Sequence, residues 1–210
     1  MQEQKIKNGK LQWDPGTMVY PVPAVMLSCG NKPENYNIIT IAWTGTINSD
    51  PPMLYASVRK NRHSYQLIKD SGEFVINLTT KDLAFATDWC GVRSGKDYNK
   101  FDAMKLTARK GEKVDAPIIV ESPVNIECKV TEIKELGTHD MFMAEVVNIQ
   151  ADETYLDKRS GLFELFRTNP LVYAHGQYYE LGHHIGKYGF SVMGEKAKKK
   201  QSMINYNRRK

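Results

Sequence analysis

The sequence predicts a mainly β chain with short helical insertions, folded as an antiparallel barrel, and three observations carry that prediction. Val124-Asn125-Ile126-Glu127-Cys128-Lys129-Val130 alternates apolar and polar residues, the pattern of a strand with one buried face. Met141 to Ala151 resembles it, and Leu136-Gly137-Thr138-His139-Asp140 between them supplies the turn residues of a hairpin. The rest of the chain offers only two short helices, too few to cover a parallel sheet in which each crossover needs its own helix.

Ahead of the hairpin, Val25 to Cys29, Ile38 to Thr44, Leu54 to Val58 and Phe74 to Leu78 are short β-branched or aromatic runs separated by Gly, Pro and Asn clusters, as in a barrel or sandwich. Leu171 to Ala174 repeats the pattern late in the chain. One helix is expected from about His63 to Asp70, ending before Gly72, and another from about Lys81 to Trp89, ending before Gly91. Thr79-Thr80-Lys81-Asp82 reads as a capping box opening the second. No internal repeat, low-complexity linker or composition shift marks a second domain.

With 210 residues, 41% of them hydrophobic, the chain is long enough for one large core. Its longest uncharged stretch, Ile38 to Ser49, is interrupted by Thr, Asn and Gly and is too short to cross a bilayer. The first residues lack the apolar segment of a secretory signal, so a cytoplasmic location is expected. Cys29, Cys90 and Cys128 are far apart, odd in number and form no CxxC, which argues against a disulfide framework or a zinc knuckle. Asn77-Leu78-Thr79 matches a glycosylation acceptor pattern, but without an export signal Asn77 reads as an ordinary strand-end residue. The net charge of +5 lies largely in Lys196, Lys198, Lys199, Lys200, Arg208, Arg209 and Lys210, a solvated tail rather than a nucleic-acid module.

Most familiar chemistries are absent. No GxGxxG follows a strand, and Gly91-Val92-Arg93-Ser94-Gly95-Lys96-Asp97 is one residue short of a P-loop and ends in Asp. There is no GxSxG elbow and no HExxH, and the adjacent His183 and His184 point to opposite sides of a strand, so no metal site is expected.

The informative segment is Ser57-Val58-Arg59-Lys60-Asn61-Arg62-His63-Ser64-Tyr65, which leaves one strand and runs directly into the first helix. A helix start presents unpaired N–H groups and partial positive charge, so Arg59, Arg62, His63 and Ser64 beside it suit a doubly charged phosphate. The plainer alternative is that Asn61 or Ser64 caps the helix while the basic residues face water. Just before it, Asn37-Ile38-Ile39-Thr40-Ile41-Ala42-Trp43-Thr44-Gly45-Thr46 places hydroxyl and amide groups in an apolar strand. Such surroundings suit a flavin mononucleotide (FMN), whose ribityl chain needs polar partners and whose ring needs apolar walls. A barrel strand with one polar face is the other reading. The glycine-rich segment Asp88 to Phe101 reads as a functional loop or as a surface connection.

Taken in order, these segments resemble the flavin reductase-like family, particularly its flavoredoxin branch, whose members adopt the FMN-binding split barrel. The resemblance runs from Tyr20 to about Gly182. It passes through Ala42-Trp43-Thr44, Asp50-Pro51-Pro52, Ser57-Val58-Arg59 with Ser64-Tyr65, Ser71 to Leu78, and Cys90-Gly91 with Ser94-Gly95-Lys96-Asp97. Ala116-Pro117, Glu127-Cys128, Pro170 to Tyr173 and His175-Gly176 follow.

The resemblance implies a split-barrel domain over residues 18–190, between an N-terminal extension (1–17) and a basic tail (191–210). It implies a homodimer with FMN near the subunit interface. Asn37, Thr40, Ala42, Trp43 and Thr44 would line the ribityl chain and ring, and Ser57, Arg59, His63 and Ser64 would hold the phosphate. The loop with Cys90, Ser94 and Lys96 would approach the flavin from the partner, Lys96 meeting a second anion such as NAD(P)H. Tyr178, Tyr179, His183 and His184 would cover a ring or lie on an exposed edge. The implied activity is oxidoreduction, with electrons passing from NAD(P)H through flavin to free flavin, a metal complex or a protein. The alternatives are an FMN electron carrier reduced by a partner protein and a non-catalytic FMN-binding protein. No catalytic acid, base or nucleophile is required.

Overall fold

The computed structural model describes residues 6, 7 and 9–194. Most of the basic tail, and part of the N-terminal extension, lie outside the described residues. After a two-residue ladder between Ile6–Lys7 and Lys10–Leu11, the strands are β1 (Val22–Pro23), β2 (Val25–Cys29), β3 (Asn37–Ile41), β4 (Thr44–Ser49), β5 (Pro52–Arg59), β6 (Glu73–Leu78), β7 (Ala108–Lys110), β8 (Pro117–Ile119), β9 (Val124–Glu135), β10 (His139–Ala151), β11 (Leu171–Ala174) and β12 (Gln177–Glu180). The helices are α1 (His63–Ser71), α2 (Ala84–Val92) and α3 (Lys100–Met104).

Seven strands form one antiparallel sheet in the order β3-β2-β6-β9-β10-β5-β4. Its two outermost strands, β3 and β4, are consecutive in the chain, so the sheet must curl until its edges face each other. Among the described residues no ladder joins them. The sheet therefore stays split, and the Ser57 N–H donates to the Trp43 carbonyl at 2.9 Å, one step beyond the Thr44–Ala56 pair of the β4–β5 ladder.

The predicted strand from Ile38 to Thr44 is two strands, broken at Ala42 and Trp43. The break lets the chain pass from one edge of the sheet to the other. Residues pointing inward from the curled sheet form the core: Val25, Leu27 and Cys29, Ile39 and Ile41, Leu54, Ala56 and Val58, Phe74 and Ile76, with Phe142 and Ala144. Tyr65 and Ile68 of α1 close one end of it. Each fully buried aliphatic or aromatic side chain contributes about 1.5–3 kcal/mol. Outside the sheet, Met26 and Ile38 pack beneath Leu83, Ala86, Cys90 and Phe101, which fixes α2 and α3 over β2 and β3. Both faces of β2 are thereby buried, which explains its nearly unbroken apolar run.

Helix α1 ends as expected, with Gly72 in the left-handed region at φ 67°. The second helix departs from expectation. It opens as a 3-10 turn, Lys81–Leu83, and its α segment runs through Gly91 to Val92. Its capping box does not form, because the Thr79 hydroxyl donates to the Ala24 carbonyl instead.

The hairpin is longer than the alternation suggested, and the polar face of β9 is covered at its start, though Lys129 further along remains exposed. Asn125 and Glu127 are buried under the segment leading from β7 to β8. Glu127 accepts from the N–H groups of Glu112 and Lys113 and from the side chains of Asn148 and Gln150. Asn77 is likewise no simple strand end. It is fully buried and bonded to the Met26 carbonyl, Ser28, Asn125 and the Ile119 N–H.

Candidate functional site

The split in the sheet opens into two adjoining clefts. The first, about 430 Å³, is lined by Ala24, Ile39, Thr40, Ile41, Ala42 and Trp43 on one side and Ser57, Val58, Arg59 and His139 on the other. Asp88, Gly91 and Val92 of α2, with Tyr173, Gly176 and Tyr178, complete it. That volume is in the range of small-molecule sites, and the lining mixes apolar walls with a few polar groups as such sites do. The pairing of β4 with β5 ends with the Thr44–Ala56 pair and the Ser57 N–H to Trp43 carbonyl bond just past it, and residues of β3 and the end of β5 border the cleft beyond. Tyr20 packs against Trp43, Tyr173 and His175, with ring centroids 6.0, 6.2 and 4.5 Å away. An aromatic wall thus stands at the edge of the first cleft.

The second cleft, about 290 Å³, shares Ile39, Arg59 and Arg62 with the first. Its other residues are Asn37, Asn61, His63, Ser64, Cys90, Arg93, Ser94, Gly95 and Lys100, and no carboxylate is among them. The N-cap of α1 is Arg62, and no side chain caps the helix start. Neither Asn61 nor Ser64 supplies the cap, so that half of the plainer alternative does not hold, while Arg59, Lys60 and Arg62 are exposed as it expected. The start of α1 borders a cleft lined by Arg59, Arg62, His63, Arg93 and Lys100, a setting of helix-start N–H groups and cations that suits an anion. Burial, reinforced by Lys96 and Lys100, holds the His63 imidazole below its usual range.

Asn37 is buried and donates to the Ser64 hydroxyl at 2.8 Å. A Cβ on Gly95 would lie 2.1 Å from Asn37 Oδ1, so the loop after α2 reaches the cleft only with glycine at that position. Burial raises the Cys90 thiol to about 11, so it stays protonated and is no nucleophile. In the first cleft, burial and then Arg59 lower His139, whose Nδ1 is 2.9 Å from the Thr138 hydroxyl. Tyr178 bonds Asp88 at 3.2 Å, and burial followed by that carboxylate raises its phenol to about 12.

Of the residues expected from sequence, Thr40, Ala42, Trp43 and Ser57 line the first cleft, and Asn37, His63, Ser64, Cys90 and Ser94 the second. Arg59 lines both. The Thr40 hydroxyl is engaged by the Thr87 carbonyl, so its methyl and backbone are what remain for a ligand. Thr44 lines neither cleft, because its hydroxyl turns to the Tyr55 carbonyl at 2.5 Å. Lys96 also lines neither, although its charge acts on His63. Cys90, Ser94 and Gly95 flank the second cleft of their own chain. Tyr178 joins the first cleft, whereas Tyr179 bonds Gln177 and His183 lies by Phe166 and Pro170.

Arg93, Lys100, His139 and Tyr173 were not anticipated as site residues. Arg93 and Lys100 stood in a loop recognisable as glycine-rich and charged, but nothing local ties His139 or Tyr173 to the cleft. Among the described residues no cluster of His, Cys, Asp or Glu could hold a metal. No described helix is long and apolar enough to cross a membrane.

The split sheet, with a mixed cleft adjoining a cation-lined helix start, defines a mainly antiparallel split-barrel fold. The chain belongs to the family of the flavin reductase like domain, whose model matches residues 17–182. Its fold is similar to that of the flavoredoxin of Desulfovibrio vulgaris (Miyazaki F), with a TM-score of 0.81 and 30% identity over 88% of this chain and 100% of that one. The flavoredoxin of Methanosarcina acetivorans is similar at a TM-score of 0.78 and 29% identity, over 88% of this chain and 99% of that one. A ferric-chelate reductase (NAD(P)H) of Archaeoglobus fulgidus is 28% identical over 108 residues, 50% of this chain and 61% of that protein.

Proposed function

We propose that this protein is an FMN-dependent oxidoreductase, passing electrons from NAD(P)H to free flavin, a metal complex or a protein acceptor. The observation that carries the proposal is the continuity of the two clefts through Arg59 and Arg62. One suits a ring and a polar chain, the other a phosphate, and together they match one flavin nucleotide. Arg59, His63, Ser64 and the uncapped start of α1 hold the phosphate. Asn37 buttresses Ser64, while Ala42, Trp43 and Ser57 bound the ribityl chain and ring. When bound, FMN supplies the redox chemistry itself.

The protein positions the ring, keeps one face accessible, and sets the polarity of its edge through backbone groups of the open seam. Ser94 and Gly95 close over the phosphate end from the same chain. Phe85 and Val92, 75% and 68% exposed on α2, support a homodimer that covers this side of the cleft. The domain spans residues 18–190 and works in the cytoplasm without a metal, membrane or nucleic-acid partner.

An anaerobic absorbance titration of the FMN-loaded protein tests this reading. Bleaching of the flavin band by NADPH or NADH at catalytic rates supports the reductase. Bleaching by dithionite alone favours a second reading, an electron carrier reduced by a partner protein. The likeness to two flavoredoxins over 88% of the chain favours that second reading. Failure to retain FMN excludes both.

A further inference from the structure

We propose that Asp140 is a positioning residue: it holds Lys60 and Tyr65 on one side of the turn between β5 and α1, and so keeps Arg59, Arg62 and His63 facing the clefts. The inference rests on the reading of those clefts as a flavin nucleotide site and adds the group that orients its cations. Asp140 is 0% exposed, at the end of the core, and pairs in register with Val58 of β5. Its Oδ2 accepts from the Tyr65 hydroxyl at 2.6 Å. Its Oδ1 has no hydrogen bond and faces the Lys60 ammonium at 3.4 Å, an ammonium that also pairs with Glu135 at 3.2 Å. The Tyr65 hydroxyl, outweighing burial and joined by Lys60, holds the carboxyl below its usual range, so it is charged at neutral pH. Taking that charge out of water is costly, and a packed apolar side chain often serves a core as well or better. The neighbouring core residues Val58, Tyr65 and Phe142 would accept one. Stability alone therefore does not account for a carboxylate here.

The turn does account for it. Arg59, Lys60, Arg62 and His63 are basic side chains crowded into one short segment, and the Arg62 N–H closes the turn on the Arg59 carbonyl at 3.0 Å. Arg59, Arg62 and His63 line the clefts, whereas Lys60 lines neither. Lys60 leaves the turn toward Asp140 and Glu135 instead. Tyr65 directly follows Ser64, so its bond to Asp140 also fixes the first turn of α1. On the other side, His139 precedes Asp140 and lines the first cleft beside Arg59, its register partner. One carboxylate thus ties the ring end of the site to the phosphate end. Asp140 lines neither cleft, so it acts through the residues it holds.

The test is calorimetric titration of the full chain with FMN and with riboflavin, in the unaltered protein, in Asp140→Asn and in Tyr65→Phe, with near-ultraviolet circular dichroism to verify folding. The preference for FMN over riboflavin reports the phosphate alone. Three roles for Asp140 predict different results. If the carboxylate acted only through its field, removing a negative charge near the site would tighten the binding of the dianion and raise the preference. A purely structural role would reduce the folded fraction and leave the preference of the folded protein unchanged. Positioning predicts the opposite of the field effect. The preference is expected to fall about tenfold in Asp140→Asn and about threefold or more in Tyr65→Phe, which alters no charge.

A preference that is unchanged or raised in folded Asp140→Asn overturns the proposal. Where that variant does not fold, Tyr65→Phe decides, and a preference within about twofold of the unaltered chain overturns it. FMN bound no better than riboflavin by the unaltered chain has a different meaning: the phosphate reading itself fails, and the inference falls with it.

Discussion

The Asn37 amide donates to the Ser64 hydroxyl at 2.8 Å, joining edge strand β3 to the first turn of α1. The bond crosses the mouth of the second cleft and is buried, so water cannot replace it cheaply. Ser64→Ala leaves the Asn37 amide without this acceptor and is expected to cost about 1–3 kcal/mol of folding stability. A double-mutant cycle with Asn37→Ala, followed by urea denaturation, is expected to give a coupling of about 0.5–3 kcal/mol. Strict additivity contradicts the bond's role.

Arg59 borders both clefts. Its exposed guanidinium contributes little to folding, so its removal is expected to act on the ligand. Arg59→Ala should weaken FMN about tenfold or more, the size of one lost charge-assisted hydrogen bond. Riboflavin, which lacks the phosphate, should be affected several-fold less. Fluorescence quenching titrations with the two flavins measure the difference, and equal losses remove Arg59 from the phosphate site.

The sequence made the local parts of this site legible and the long-range parts only by resemblance. The gathering of Arg59, Arg62, His63 and Ser64 at one cleft was readable because strand end, cations and helix start are contiguous in the chain. The hairpin of β9 and β10 was readable because alternation reports which face is buried. Alternation misjudged Asn125 and Glu127, since it cannot report that a distant segment covers the second face. Thr44 and Lys96 matched the expected pattern but turn elsewhere. Their side-chain directions depend on the break at Ala42–Trp43 and on the course of the loop after α2. His139 and Tyr173 reach the first cleft from strands remote in sequence, a consequence of topology with no local trace.

Two glycines near the clefts differ in how much room they leave. A Cβ on Gly91 would stand 3.1 Å from Thr40 Cβ, a tight contact between α2 and β3 that a small shift relieves. On Gly95 it would stand 2.1 Å from Asn37 Oδ1 and 2.6 Å from Asn37 Cγ, which requires Asn37 or the loop to move. Gly95→Ala is therefore expected to lose more FMN affinity than Gly91→Ala, by about tenfold. Thermal melts of the apo forms should show both variants folded. Equal affinities in the two variants show that the loop after α2 does not close the cleft.

Glu127 gives the fold a defined acid response. Burial raises its carboxyl, but the side chains of Gln150 and Asn148 and the N–H groups of Lys113 and Glu112 outweigh that effect, and the net shift is downward. A carboxyl lower in the folded than in the unfolded state contributes stability that is fully present above its unfolded value near 4.5. That contribution is lost as pH falls through the lower folded value. Urea midpoints measured from pH 7 to pH 3 are expected to drop below about pH 4.5 in the unaltered chain. Glu127→Gln cannot accept at both oxygens and presents an N–H₂ toward the Lys113 N–H, so a loss of about 2 kcal/mol or more is expected at pH 7. Its stability should also fall less steeply with acid. A variant as acid-sensitive as the unaltered chain places the response in other carboxylates, among which Asp140, bonded to Tyr65 at 2.6 Å, is the next to replace.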